Sequence, residues 1–241
     1  MIDELSKKET VGVFKSGKNK KLIELLKSQN KSVIEFLQVK TEAVIFDVEK
    51  LNILKKIRQY DWLIFTDIYT VDYFMAGLEK TGFELFELDK FRICACGEAV
   101  ADKLRFVQIH SDVIPPKKSA EVTVSALSDY IFDDAEFLDS NVLIIKSEDI
   151  NSEISKLLLK KRIKNVEIEV YRTLSVSSLE NAKLNTLLSV GDIDRFIFTS
   201  AEDVESLLIL SKNAQLSKYL SGIEIETTDE VTSQILSENL I

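Results

Sequence analysis

Short apolar runs alternate along the chain with longer stretches whose apolar residues recur at helical spacing. Runs of this length are typical of buried strands, and they lie at Val11–Phe14, Ser32–Val39, Trp62–Thr66, Arg92–Cys96, Asn141–Ile145, Val166–Tyr171, Phe196–Thr199 and Ile223–Glu226. The predicted helices lie at Lys20–Gln29, Thr70–Lys80, Ala99–Phe106, Ser119–Tyr130, Ile150–Lys161, Leu179–Ser189, Ala201–Ser211 and Thr228–Asn239. Strands that alternate with helices predict parallel sheets covered on both faces.

The second half of the chain repeats the first at an offset of about 131 to 133 positions. Val-Phe-Lys-Ser at 13–16 returns as Ile-Ile-Lys-Ser at 144–147, and 31–34, 39–41 and 61–67 return as 164–167, 171–173 and 194–200. Solenoid repeats have periods of roughly 20 to 50 residues, so this offset indicates two copies of one domain. A ligand shared by two such copies is expected between them.

Composition excludes several classes of protein. The 241 residues are 45% hydrophobic and 29% charged, which is typical of a globular protein. A formal net charge of −9 argues against a nucleic-acid partner. No apolar run approaches the roughly 20 residues of a membrane helix, and the first residues are polar where a signal peptide needs an apolar core. We therefore expect a cytoplasmic protein without a membrane partner.

Candidate ligand contacts follow the predicted strands. Ligands of parallel sheets bind at the carboxyl ends of strands, where loops and helix starts present free N–H groups. The segments at these ends are Lys15-Ser16-Gly17 and Lys146-Ser147 after the first strand of each copy, Thr66-Asp67 and Thr199-Ser200 after the third, and Gly97-Glu98-Ala99 after the fourth. A hydroxyl at a helix start is also a preferred N-cap. Recurrence of the same chemistry in both copies favours ligand contacts, and simple capping stays open for each residue.

Other chemistry has little support. Cys94 and Cys96 share one face of a predicted strand, which suits a buried pair better than a disulfide, and with the single histidine, His110, they are too few for a zinc site. We expect no metal. The acidic run 133–136 indicates solvated loop charges. The chain has no Gly-x-Gly-x-x-Gly and no P-loop, and lysine and serine stand where a phosphoreceiver domain needs an acidic pair.

Several motifs together resemble the uroporphyrinogen-III synthase family. They are Phe-Thr-Ser-x-x-x-Val at 198–204 with its counterpart at 65–71, Cys-Gly-x-x-x-Ala-x-x-Leu at 96–104, Pro-x-x-x-Ser-Ala-Glu-x-x-x-x-x-Leu at 115–127 and Val-Tyr-Arg-Thr at 170–173. Each motif alone is common, but their order, spacing and duplication cover essentially the whole chain. The resemblance implies an α/β protein of two flavodoxin-like, doubly wound parallel-sheet domains joined by two crossover segments. Domain 1 would contain residues 1–40 and 173–241, and domain 2 residues 41–172.

The resemblance also implies a reaction. Family members cyclise the linear tetrapyrrole hydroxymethylbilane to uroporphyrinogen III, with inversion of the last pyrrole ring and loss of water, and without a metal or organic cofactor. The substrate carries eight carboxylates and would bind in a cleft between the domains. The resemblance implies substrate contacts at Lys15, Ser16, Thr66, Gly97, Ser119, Lys146, Ser147, Thr199 and Ser200. Tyr171 matches a family tyrosine and is either a proton donor to the leaving hydroxyl or a packing residue. A monomer is expected.

Four departures from the family suggest an alternative. Lys15 replaces an arginine and Asp67 replaces a serine. The second copy lacks an equivalent of Gly97, because the aligned stretch 225–228 contains no glycine, and Glu226 in that stretch is expected to repel an acidic substrate. The chain also ends with the helix that reaches Ile241, so one face of domain 1 is expected to be open or differently covered. The alternative is a catalytically degenerate module that binds a tetrapyrrole or another anionic ligand for regulation.

Overall fold

The computed structural model describes residues 8–17, 19–130, 140–174, 178–211 and 216–240, with Asn239 and Leu240 described by their backbone only. The acidic run 133–136 lies outside these residues. Contacts divide the described chain into two compact units. Unit 1 contains the described residues up to Lys40 and from Leu174 onward, and unit 2 contains Thr41–Thr173.

The described residues form nine strands and ten α-helices. The strands are β1 Thr10–Lys15, β2 Ser32–Leu37, β3 Thr41–Ala43, β4 Trp62–Phe65, β5 Arg92–Ala95, β6 Asn141–Ser147, β7 Lys164–Thr173, β8 Arg195–Phe198 and β9 Glu224–Thr227. The helices are α1 Lys20–Ser28, α2 Val48–Lys55, α3 Ile68–Glu79, α4 Glu98–Phe106, α5 Ala120–Tyr130, α6 Glu153–Lys160, α7 Ser178–Val190, α8 Ala201–Ser211, α9 Leu216–Leu220 and α10 Glu230–Leu240. No helix among these residues is both long enough and apolar enough to cross a bilayer.

The two sheets have the same strand order once the duplication is taken into account. Unit 1 has the order β2-β1-β8-β9 and unit 2 the order β3-β7-β6-β4-β5. In the duplication β1 corresponds to β6, β2 to β7, β8 to β4 and β9 to β5. Both units therefore share one four-stranded parallel arrangement. Unit 2 adds β3, which runs antiparallel to β7. The carboxyl ends of the parallel strands therefore meet at one edge of each sheet.

The central strands β1 and β8 of unit 1 and β4 and β6 of unit 2 are buried on both faces, as their continuous apolar runs predict, whereas the edge strands β2 and β9 are only partly buried. In unit 1, Phe14, Phe36, Phe196 and Phe198 form an aromatic cluster with ring centroids 4.7 to 6.4 Å apart, and another cluster contains Val11, Val13, Ile23, Leu26 and Ile197. In unit 2, the core that contains Trp62, Ile64 and Ile144 also includes residues of α5 and α6. These rigid sheets fix the positions of the loops at their edges.

All eight predicted strands and all eight predicted helices are present, and every strand end lies within two residues of its predicted position. Five elements were not predicted: β3, α2, the short α9 and the 3-10 helices Ile57–Gln59 and Leu85–Lys90. Helix α6 begins at Glu153 instead of the predicted Ile150, because the carbonyl of Ile150 belongs to a turn and accepts a hydrogen bond from Lys146 Nζ at 2.7 Å. Helices α3 and α10 begin directly after the aspartates that cap them.

Candidate functional site

The lysines that follow the first strand of each copy lie in different environments. The side chain of Lys15 is 62% exposed, and its ammonium lies 3.3 Å from Glu35 Oε2. The side chain of Lys146 is only 7% exposed, and its Nζ binds the Ile150 carbonyl and lies 4.0 Å from Glu169 Oε1. Lys15 is therefore open to an external anion, whereas the ammonium of Lys146 holds its own loop together.

Each serine beside these lysines takes part in a local hydrogen-bonded turn. The backbone N–H of Ser16 donates to Asn19 Oδ1 at 3.0 Å. Asn19 is buried, and its amide donates to the carbonyl of Phe14. In unit 2 the buried Ser147 accepts the N–H of Asp149 at 3.1 Å. Asn19 was not a predicted site residue, although an asparagine just before a predicted helix is a capping signal.

Thr66 follows β4, Thr199 follows β8, and each contacts a buried carboxylate. Thr66 donates its hydroxyl to Asp67 Oδ2 at 3.0 Å. Thr199 donates its hydroxyl to Asp203 Oδ2 at 2.8 Å and its backbone N–H to the same oxygen at 2.7 Å. Ser200 is half-buried beside Thr199, and its carbonyl accepts the N–H of Asp203. Asp203 was not a predicted site residue.

Strand β5 of unit 2 and its equivalent β9 of unit 1 end differently. Gly97 caps α4 with φ at 111° and ψ at 157°, a conformation that strongly favours glycine, and no side chain caps this helix. Ala95 pairs with Phe65, and Thr227 pairs with Phe198. The equivalent of Gly97, two residues after the paired strand residue, is therefore Asp229.

Asp229 fills the helix start that Gly97 leaves open in the other unit. Its carboxylate accepts the Thr232 N–H and hydroxyl, each at 2.8 Å. The stretch 225–228 that was predicted to match Gly97 ends one residue before Asp229, and Glu226 lies inside β9 with its carboxylate 3.4 Å from Arg195 Nη1. The N-terminus of α4 is thus suited to an anionic ligand, whereas the N-terminus of α10 already holds a carboxylate.

Tyr171 lies in β7 within an aromatic cluster. Its side chain is buried, stacks on Tyr73 with ring centroids 5.4 Å apart and contacts Tyr69 at 5.5 Å. The Tyr73 hydroxyl is hydrogen-bonded to Thr41 Oγ1 at 3.1 Å. These contacts pack the Tyr171 ring within unit 2 and fix its orientation.

A cavity of about 160 Å³ in unit 2 brings together several predicted contacts. Thr66, Ser119 and Lys146 line it with Cys96 and Thr123. Ser119 Oγ accepts the N–H of Val122 at 3.2 Å, so this hydroxyl caps α5. The cavity therefore combines polar groups with an apolar wall, as small ligand sites do.

A larger groove of about 1080 Å³ in unit 1 is rich in lysines. Among the residues that line it are Lys15, Ser16, Lys20, Lys27, Gln38 and Lys40, with Glu24 and Glu35. The lysines outnumber the carboxylates, so the groove is locally basic in a chain of net charge −9. Such a groove favours a ligand that carries several carboxylates.

The two cysteines are buried free thiols on β5 and in the loop after it. The neighbouring Cys96 and burial together raise the pKa of the Cys94 thiol well above its usual value, so Cys94 is neutral. Among the described residues, no three His, Cys, Asp or Glu side chains are grouped to hold a metal ion. The thiols therefore contribute to the core of unit 2.

Asp203 gives a testable pH dependence. Its carboxyl is fully buried, and burial raises its pKa above the usual value. The folded state then binds this proton more tightly than the unfolded state, so stability contributed by this group falls as pH rises from about 4 through the folded pKa. We expect Asp203→Asn to remove this decline, giving a flatter plot of melting temperature against pH. The exposed Asp192→Asn is the control, and identical plots for wild type and Asp203→Asn would contradict the prediction.

The two units define a class of protein: an internally duplicated, doubly wound α/β protein whose strand ends offer a cation, hydroxyls and an open helix N-terminus. The sequence profile of the family described as uroporphyrinogen-III synthase HemD matches residues 20–239, and the chain belongs to this family. It is thus an enzyme of tetrapyrrole biosynthesis, and its substrate class is the linear tetrapyrroles. The resemblance drawn from the motifs is confirmed.

Solved structures with a similar fold are also uroporphyrinogen III synthases. The wild-type protein of the extremely thermophilic bacterium Thermus thermophilus has a TM-score of 0.66 and 16% identity, over 95% of this chain and 88% of that one. Another structure of the Thermus thermophilus synthase gives 0.63 and 16%, over 95% and 89%. No curated protein matches the chain in sequence. At this identity the structures show the fold alone, and the predicted doubly wound α/β fold is confirmed.

Proposed function

We propose that this chain cyclises hydroxymethylbilane to uroporphyrinogen III in the cytoplasm, as a monomer and without a cofactor, with the substrate bound between the two units. The observation that carries the proposal is the open N-terminus of α4 at Gly97. It offers backbone N–H groups and a positive dipole end to a carboxylate. The lysine-rich groove of unit 1 offers the second set of anion contacts, and the substrate has carboxylates on every ring.

The proposed chemistry depends mainly on positioning. The C–O bond of the terminal hydroxymethyl group breaks, the oxygen leaves as water, and the electron-rich pyrrole stabilises the resulting cation. In this family's substrates the cation closes unaided to isomer I, so the protein must present the substituted carbon of the last ring. Holding two reacting carbons in one geometry is worth several kcal/mol. Fixed anion contacts in both units supply this constraint in the proposal.

Tyr171 has the proposed role of proton donor to the leaving hydroxyl. Stacking on Tyr73 holds its ring in one orientation, which a general acid requires. The buried face of the ring supports packing at the same time. Tyr171→Phe keeps the stacking and removes only the hydroxyl, so a lower kcat with unchanged KM would support proton donation.

A second candidate is a regulatory module that binds a tetrapyrrole without turnover. Asp67 and Asp229 favour it, because their carboxylates already occupy the starts of α3 and α10. Fewer helix starts are then left for the substrate. Lys15 and Gly97 still provide anion contacts in both cases, and membership of the synthase family makes the synthase the better supported proposal.

A coupled assay separates the two candidates. Purified porphobilinogen deaminase supplies hydroxymethylbilane, and the products are oxidised and resolved into isomers I and III. We expect predominantly isomer III with this chain and isomer I without it. Isomer I alone, from a folded sample that sediments as one species, would overturn the synthase proposal and leave the binding module. Sedimentation also tests the expected monomer.

A further inference from the structure

The hydroxyl protons of Thr66 and Thr199 already form hydrogen bonds to carboxylates. Thr66 Oγ1 donates to Asp67 Oδ2 at 3.0 Å, and Thr199 Oγ1 donates to Asp203 Oδ2 at 2.8 Å. A threonine hydroxyl has one proton and two acceptor lone pairs, and an ionised carboxylate can only accept. Each hydroxyl therefore keeps acceptor capacity and has no second proton to offer a ligand.

The aspartates are fixed in this arrangement by further donors. Asp67 Oδ1 accepts the backbone N–H groups of Tyr69 and Thr70, each at 3.0 Å. Both aspartates are buried, with Asp67 3% and Asp203 0% exposed. Several donors therefore hold each buried carboxylate in one geometry, with its oxygens acting as acceptors.

Asp203 has a corresponding set of donors in unit 1. Its Oδ1 accepts Gln38 Nε2 at 2.7 Å, and its Oδ2 accepts the Thr199 N–H at 2.7 Å. Asn19 Nδ2 also donates a long hydrogen bond to Thr199 Oγ1, at 3.5 Å. The lone pairs of Thr199 Oγ1 therefore serve as acceptors for hydrogen-bond donors.

We infer that Thr66 and Thr199 accept hydrogen bonds from pyrrole N–H groups of the bound tetrapyrrole and do not bind its carboxylates; this inference rests on the proposed function. A substrate carboxylate at either hydroxyl would place lone pairs against lone pairs, with the buried carboxyl group that holds the hydroxyl proton directly behind. A pyrrole N–H is a donor without charge, and its partial positive charge is favoured there.

Both threonines are placed to meet a ligand. Thr66 lines the cavity of about 160 Å³ in unit 2, and Thr199 is half-buried at the end of β8. Carboxylates then go to the lysine-rich groove and to the start of α4, where donors are available. This division separates the contacts that hold the side chains of the substrate from those that set the tilt of its rings.

Two ligands with the same eight carboxylates test the inference. Uroporphyrinogen III has four pyrrole N–H groups, whereas its oxidised form, uroporphyrin III, has two and carries two imine nitrogens without protons. Dissociation constants of both ligands are measured under anaerobic conditions for wild type, Thr199→Val and Thr66→Val. Thr199→Ser keeps the hydroxyl as a matched control, and Lys15→Met serves as the carboxylate-contact control.

We expect each valine variant to bind uroporphyrinogen III roughly 3- to 10-fold more weakly, the value of one hydrogen bond, with uroporphyrin III changed by a smaller factor. Lys15→Met should lower the affinity for both ligands by the same factor, and Thr199→Ser should leave both affinities unchanged. Equal losses for both ligands in folded valine variants, or no loss, would overturn the inference. Failure of the wild-type chain to bind either ligand would instead overturn the proposed function. Because the two threonines lie in different units, either variant alone decides the question if the other does not fold.

Discussion

Gly97→Asp is expected to lower formation of isomer III by roughly 100-fold, a loss equivalent to about 3 kcal/mol. The new carboxylate would occupy the start of α4, as Asp229 occupies the start of α10. It would remove charge-assisted hydrogen bonds to a substrate carboxylate, which are worth about 1.5–3 kcal/mol, and add like-charge repulsion. The assay is the ratio of isomers III and I at several substrate concentrations.

Gly97→Asn is the matched control for this experiment. Asparagine has the size of aspartate and places the same strain on a backbone with φ at 111°, which costs about 1–3 kcal/mol. The difference between the two variants therefore measures the charge alone. Equal activities of Gly97→Asp and Gly97→Asn, with equal melting temperatures, would contradict the prediction that a negative charge at this helix start opposes substrate binding.

Local signals in the sequence predicted the sheets well, because each strand and helix carries its own periodicity. The short β3 has only the residues Thr41–Ala43 and too little alternation to be recognised. It forms because the long β7 offers an edge for Glu42 to pair with Arg172. An element stabilised by its partner cannot be read from its own residues.

The candidate site was predicted only in part, for a related reason. Lys15, Thr66 and Thr199 were found because strand ends are visible in the apolar pattern. Asp203 was missed because its partner Gln38 lies 165 positions away and no local signal joins them. Identifying Asp229 as the equivalent of Gly97 needed the register of β8 and β9, although Thr232 three residues later is a capping signal.

Lys15 and Lys146 show the limit of arguing from a repeat. The sequence gives them equivalent positions, but only Lys15 presents its ammonium to solvent. The difference arises from Ile150, whose carbonyl binds Lys146 in a turn that the sequence pattern assigned to a helix. A duplicated fold therefore keeps the positions of its loops while each copy changes what those loops bind.

Phe196→Ala is expected to destabilise unit 1 by about 3–5 kcal/mol. Phe196 is fully buried in β8, with its ring centroid 4.7 Å from Phe198, 5.6 Å from Phe36 and 5.7 Å from Phe14. Its ring also covers Gly12, where a Cβ would lie 3.1 Å from Phe196 Cδ2. Truncation leaves a cavity that the neighbouring rings cannot fill, and the loss is a large share of the roughly 5–15 kcal/mol that stabilises a typical domain.

Urea unfolding with two probes measures this effect and assigns it to a unit. Trp62 is the single tryptophan of the chain and is buried in unit 2, so its fluorescence reports that core, while far-ultraviolet circular dichroism reports both units. For Phe196→Ala we expect part of the dichroism transition to move to lower urea and the fluorescence transition to stay in place. Phe65→Ala, which removes the ring packed against Phe74 in unit 2, is the matched control and should move the fluorescence transition. If Phe196→Ala moved the fluorescence transition as far as the dichroism transition, the two units would unfold together. Their cores would then not differ in stability independently of each other.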